Sequence, residues 1–429
     1  MLEEETNTHE IVVKDKFNLV KLIFCFQGCA CLLHLNIFMN SSDYFMKVYF
    51  QSVMTIFSAI FLTSNLIGLV IMIFIGHKLH FVVIFVIPYV YFIVSLLVLP
   101  IMSYFNDRIP KVVTFIVTVV ILVLSGFSTS ILEGGVFGKA YLFPNEHNAQ
   151  MVMFGIGLVG FIIALTKSFV KFWTENLNYY FYAGSAFLIV CLISSFLTLC
   201  LPYSRKYFYN SVTQCEISDD SGYYGDDDIS FTIQNVSFKK SINSWERAWY
   251  IFKRLKHYCF YIFITFFVTM SIYPGISSVL PTSFPGTFMD DWYPEILILL
   301  MCTFDFVGRT IPGLIKINHK DCFIRYIVVW GRIHFVILFS LYIHPIFFLH
   351  CDVVPILMMI VMGITNGYFS CIIVNKAKKL LSDEDSVNKE IGGNMITFFM
   401  LVGISVGSIS SIGIFYSTNV IFQFIKKKG

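Results

Sequence analysis

Apolar and polar positions fall in long blocks along this chain. Apolar stretches of roughly 18–25 residues lie near 17–39, 51–75, 81–104, 111–132, 149–170, 179–201, 258–279, 293–315, 326–349, 354–375 and 393–420. Each matches the thickness of bilayer hydrocarbon when wound as a helix. Inside hydrocarbon a backbone must satisfy its own polar groups, which selects helices over open sheets. The blocks predict an all-α polytopic membrane protein with eleven transmembrane helices. One long polar interruption, 203–257, divides them six plus five, as two packed bundles require. The domains expected are an N-terminal tail (1–16), a first bundle (17–202), the loop (203–257) and a second bundle (258–425).

The loop has two parts. An acidic cluster, Asp219, Asp220, Asp226, Asp227 and Asp228, reads as a solvated segment. WERAWYIFKRLKHY follows and reads as a helix lying on the membrane surface. Trp245, Trp249 and Phe252 would turn inward, with Arg247, Lys253, Arg254 and Lys256 toward headgroups. Placing the N-terminus and this loop in the cytosol puts most of the 30 Lys and Arg on the inner side, as the positive-inside rule expects. Lys426–Lys428 then lie outside, and Asn40-Ser41-Ser42 is a glycosylation sequon at the outer end of the first span.

One apolar block is unusual. Residues 293–315 carry Asp305 and Arg309 near the middle of a span. A charge there costs about 2.5–3.5 kcal/mol on insertion scales, so both must face protein or water. Their i, i+4 spacing puts them on one helix face within reach of each other. Two readings are open: a salt bridge that locks helices together, or a hydrogen-bonding clamp on a polar solute, the carboxylate accepting and the planar guanidinium donating. Gly308 between them leaves room for a neighbouring helix or a ligand.

Composition agrees with the pattern. Hydrophobic residues make up 57% and charged residues only 13%, far below an ordinary soluble domain. The net charge of +3, without a basic block, argues against nucleic acid as a partner. The eleven Cys fall mostly inside apolar spans and do not form a disulfide framework. Residues 1–16 lack the form of a cleaved signal peptide. No P-loop, HExxH, nucleophile elbow or Rossmann glycine run stands in a suitable setting, so an enzyme is not expected, nor a cofactor. Movement of a solute would be driven by its own gradient or by an ion gradient.

Several motifs, in order along nearly the whole chain, resemble the equilibrative nucleoside transporter family. They are Gly28 to Phe45 with Asn36, Leu132-Glu133-Gly134-Gly135-Val136-Phe137-Gly138, Gly155-Ile-Gly157-Leu-Val-Gly160 and FFVTMSIYPGI (266–276). Further on come Asp305-Phe-Val-Gly308-Arg309 preceded by Trp292, Thr365-Asn366-Gly367-Tyr368, and Glu390-Ile-Gly-Gly-Asn-Met with Gly403 to Gly407. The Phe-, Ile- and Tyr-heavy usage suggests a protozoan member. The resemblance implies a major-facilitator-like arrangement of the two bundles, and facilitated transport of nucleosides or nucleobases, purines favoured, by alternating access. Three positions depart from the family's pattern: His34-Leu35 stands for Pro-Trp, Glu133 for a substrate-contacting glutamine, and Cys302 for an asparagine.

The resemblance also implies a substrate set of Asp305, Arg309, Glu133, His34, Leu35 and Cys302. Asp305 suits ribose hydroxyls, with Arg309 positioning it. Glu133 either accepts from the base edge or faces cytosolic water at a span end. His34 either meets substrate or satisfies a neighbouring helix. Arg332, Asn36, Pro274, Asn366 and Gly308 are expected in structural or gating roles, Pro274 by kinking its span. The rival within transport is proton coupling through Glu133, His34 or Asp305; the rival outside it is a membrane receptor or enzyme. The expected partners are a nucleoside or nucleobase and the lipid bilayer, without a required oligomer. The plasma membrane is the expected location.

Overall fold

The computed structural model describes residues 15–41, 53–104, 110–144, 147–173, 178–207, 244–277, 286–315, 320–343 and 351–428, with isolated positions between them. Among these residues every regular element is helical, and eleven helices are long and apolar enough to span a membrane. They are α1 (Leu19–Asn40), α2 (Val53–Ile75), α3 (Ile87–Tyr104), α4 (Lys111–Leu142), α5 (His147–Trp173) and α6 (Asn178–Cys200), followed by α7 (Ser244–Ile272), α8 (Phe288–Leu314), α9 (Asp321–Tyr342), α10 (Val353–Leu380) and α11 (Ser386–Lys428). The acidic cluster at 219–228 and the side chain of Asn40 lie outside what the structure describes.

The sequence blocks locate each helix but misjudge several ends. Helix α4 runs through Leu142 instead of stopping at 132, and α11 begins at Ser386 instead of 393. At 1.5 Å per residue, the 32 residues of α4 reach about 48 Å, beyond the hydrocarbon. Its last turns are held by protein, so they can carry polar residues that a hydropathy window reads as loop.

Segment 244–257 is corrected in the same way. It is not a separate surface helix but the opening turns of α7. Its apolar stripe, Ala248, Ile251, Leu255 and Cys259, is buried, while Trp245 and Trp249 are exposed and Phe252 stacks on Phe399 at 5.7 Å. Its two arginines meet the acidic turn between α10 and α11: Arg254 pairs with Glu384, and Arg247 with Asp385 at 3.6 Å. Apolar surface on α11 and opposite charge beside it receive these turns. At the other end, α7 stops at Ile272 and Tyr273–Ser277 form a turn. Pro274 therefore terminates the helix and does not kink it, because its ring removes a donor and biases the preceding residue away from helix.

Packing repeats from one half to the other. In the first half α1 pairs most extensively with α5 and α2 with α4; in the second α7 pairs with α11 and α8 with α10. A π-helical turn opens α3 at Val82–Val86, and another lies within α9, its counterpart, at Tyr326–Gly331. Lipid tails are as apolar as Leu, so helix pairs in a bilayer gain by close backbone approach rather than by escape from water. Accordingly Gly155 lies against the Cys25 backbone in one half, and Gly403 against the Phe263 carbonyl in the other. This is a two-bundle, six-plus-five fold. The halves meet where α5 packs on α8 and where α11 packs on α2 and α4.

Candidate functional site

Helix α8 places Asp305 and Arg309 one turn apart, and Arg309 Nε donates to Asp305 Oδ2 at 2.8 Å. The Arg309 side chain is 3% exposed and that of Asp305 14%. The carboxylate is thus the part of the pair still within reach from outside. Its other oxygen, Oδ1, accepts from Asn366 Nδ2 of α10 at 2.6 Å. Arg309 also reaches across to the first half, where its Nη1 donates to the Met153 carbonyl of α5 at 3.0 Å. Gly157, one turn on, clears space for this side chain: a Cβ there would meet Arg309 Nε at 2.9 Å. The glycine run 155–160 is therefore more than a packing face.

The rest of the cluster comes from α7, α9 and α10. Arg332, the first residue after the π-helical turn of α9, is buried. Its Nη1 donates to Thr365 Oγ1 at 2.9 Å and its Nη2 to Thr269 Oγ1 at 2.6 Å. Gly308 and Gly367 close the α8–α10 crossing, since a Cβ on either would run into the Ile364 or the Asp305 carbonyl. Gly308 thus makes room for a helix and not for a ligand. Cys302 lies a turn before Asp305, partly exposed, with its Sγ 3.3 Å from the Tyr273 hydroxyl. Gly367→Ala should overpack this crossing and lower stability by about 1–3 kcal/mol. A melting temperature of the purified protein equal to wild type would contradict so tight a crossing.

In the first half the expected residues scatter more. Glu133 is 2% exposed, in mid-helix rather than at a span end, and its Oε2 has no hydrogen-bond partner among the described residues. His34 packs against α3. Its Nε2 lies 2.9 Å from Ser95 Oγ, and its ring stacks on Phe92 at 4.9 Å. Of its two expected roles, the geometry supports satisfying a neighbouring helix. Leu35 and Asn36, the next residues of α1, are partly exposed. Pro274 sits in the exposed turn after α7, apart from the cluster. Asp305, Arg309, Arg332 and Asn366 come together; Glu133 and His34 are not joined to them by a hydrogen bond among the described residues.

Residues 116–415 match the sequence model of the nucleoside transporter family. The chain belongs to that family. It is 25% identical over 424 residues to equilibrative nucleotide transporter 1 of Arabidopsis thaliana, covering 94% of this chain and 88% of that protein. It is 24% identical over 320 residues to human equilibrative nucleoside transporter 2, covering 66% of this chain and 68% of that one. Among solved structures, the E. coli fucose:proton symporter overlays with a TM-score of 0.49 at 10% identity, over 93% of this chain and 98% of that chain. These relatives carry transporter names, and an enzyme reading has no support among them.

For a nucleoside transporter family member, the contacts between the halves matter as much as the cluster. Lys167 of α5 pairs with Glu295 of α8 at 3.1 Å near one end, and a larger set lies at the end that holds the start of α1. Lys139 of α4 and Glu390 of α11 form a buried ion pair of 2.7 Å, with side chains 10% and 5% exposed. Beside it Tyr141 donates to the Val374 carbonyl at 3.1 Å, and Lys378 Nζ to the Ala140 carbonyl at 2.9 Å. Gly393 lies against the Phe137 carbonyl. This end is closed. Sequence reasoning missed these residues because both charges fell beyond the span ends it assigned. The available signal was that Lys139 and Glu390 each border a glycine-rich segment, 134–138 and 392–393. The Met153 carbonyl had no signal at all, being backbone.

Proposed function

We propose that the protein is a facilitator of nucleoside or nucleobase movement, purines favoured, working by alternating access between its two bundles. The observation that carries this reading is the half-reachable Asp305 carboxylate, braced from two sides while each oxygen keeps a lone pair for a ligand. Ribose hydroxyls supply the donors that such an acceptor needs. Glu133, buried with a free acceptor oxygen on the opposite half, would read donors on the base edge. Leu35 and Cys302, partly exposed, would line the path. With the N-terminus in the cytosol, the closed end is the cytosolic one, and the plasma membrane is the natural site of such uptake.

An uptake competition panel of nucleosides and free bases in cells expressing the protein tests this directly. Saturable purine uptake that ribonucleosides compete for is the expected result; absence of saturable flux would return the protein to the receptor class. Glu133→Gln should keep saturable flux while shifting base preference, because an amide adds a donor where only acceptors stood. Uptake should be indifferent to a protonophore. Accumulation above the external concentration that a protonophore abolishes, and that Glu133→Gln lacks, would favour proton coupling instead.

A further inference from the structure

A buried arginine in a membrane span pairs with an acid or with backbone carbonyls. Arg332 is 1% exposed, yet among the described residues no carboxylate lies within ion-pair distance of it. Asp305 is linked to it through one intervening residue. Between them stands Asn366. Its Oδ1 accepts from the Thr269 hydroxyl at 2.7 Å and faces Arg332 Nη2 at 3.4 Å, while its Nδ2 donates to Asp305.

An asparagine amide can normally sit either way round. Here only one way works. Turning it over would press the NH2 group against the Arg332 N–H donor and the oxygen against the Asp305 carboxylate. The guanidinium is itself fixed, because its planar fork is spread over Thr365, Thr269 and the Thr265 carbonyl, the last at 3.3 Å. A rigid cation on α9 therefore dictates the amide on α10, and the amide dictates the carboxylate on α8. On its other side the same carboxylate is held by Arg309.

We propose that Arg332, acting through Thr269 and Asn366, is a positioning residue that fixes the Asp305 carboxylate in the orientation that receives a substrate hydroxyl. Arg332 does not touch substrate; it selects which substrates Asp305 can hold. The expected consequence is specificity for sugars that present free hydroxyls, lost when the chain of bonds is cut. This inference rests on the reading of Asp305 as the hydroxyl acceptor.

The experiment compares binding of a purine ribonucleoside with that of its 2′,3′-dideoxy analogue, each titrated against the thermal stability of purified full-length protein. Wild type should prefer the ribonucleoside. Arg332→Lys keeps the charge but loses the fork, and Thr269→Val removes the hydroxyl at nearly constant volume. Both should reduce the preference by about tenfold, the size of one hydrogen bond to a charged group, while affinity for the dideoxy analogue stays near wild type. An unchanged preference, or an equal loss for both ligands, overturns the proposal, since a merely structural arginine would move both together. If Arg332→Lys does not accumulate, Thr269→Val decides alone. The Asp305→Asn/Arg309→Leu double variant separates the two levels. If it still prefers the ribonucleoside, Asp305 is not the hydroxyl acceptor; if it loses the preference while Thr269→Val keeps it, the acceptor stands and the positioning role falls.

Discussion

Asp305→Asn is expected to abolish transport and to reduce the amount of protein at its membrane. The change keeps the size of the side chain and removes its charge. Arg309, 3% exposed, then loses its charged partner Asp305 and keeps neutral acceptors such as the Met153 carbonyl. Stripping one partner from a buried pair costs about 3–5 kcal/mol, mostly through the charge left behind. The new amide must also meet the Asn366 amide and the Arg309 guanidinium, two donors, where two acceptor oxygens stood. Adding Arg309→Leu removes the orphaned charge, and a well-packed apolar replacement is often neutral for stability. The double variant should therefore recover surface expression far better than flux. Surface labelling and initial-rate uptake on the same cells measure both. Normal transport by the double variant would reduce the pair to a structural salt bridge.

Glu390→Gln should give the second-largest effect, at the closed end. Lys139 and Glu390 are held 2.7 Å apart between α4 and α11, with the lysine 10% exposed. Without the carboxylate, the ammonium loses the charged partner at 2.7 Å and is rehydrated by opening the end. The expected loss is again about 3–5 kcal/mol, and it falls only on the state in which this end is closed. An energy of that size shifts a two-state balance by hundreds of fold or more, so the resting protein should open at this end. A lower melting temperature and a sharply reduced uptake rate are the readouts. Lys139→Met combined with Glu390→Met, which removes both charges, should restore the melting temperature. A single variant with wild-type melting and flux would mean that Tyr141, Lys378 and Gly393 hold the end closed without the pair.

These two expectations differ in how they could be reached. The Asp305–Arg309 pair was legible in the residues, because a span that carries two opposite charges four apart has to put them together. The Lys139–Glu390 pair was not. Its members lie 251 positions apart and beyond the assigned span ends, where a charge looks like ordinary loop. The same blindness turned the start of α7 into a surface helix: hydropathy records how much polar surface a turn has, not whether Glu384 and Asp385 wait to receive it.

His34, Asn366 and Arg332 show the limit from another side. Each was singled out through the family resemblance, and each proved to be hydrogen-bonded. The partners, Ser95, Asp305 and Thr269, sit on other helices at positions no local spacing predicts. What the sequence by itself determined was the class, the eleven helices and the six-plus-five division. Bilayer thickness sets a length, and unsatisfied backbone in hydrocarbon forbids other structures, so apolar blocks of that length leave little choice. Only the tertiary structure decided which polar groups are paired, which end is closed and which acceptor remains within reach. Those depend on how helices cross, and crossings are set by glycine contacts and side-chain fit between segments far apart in the chain.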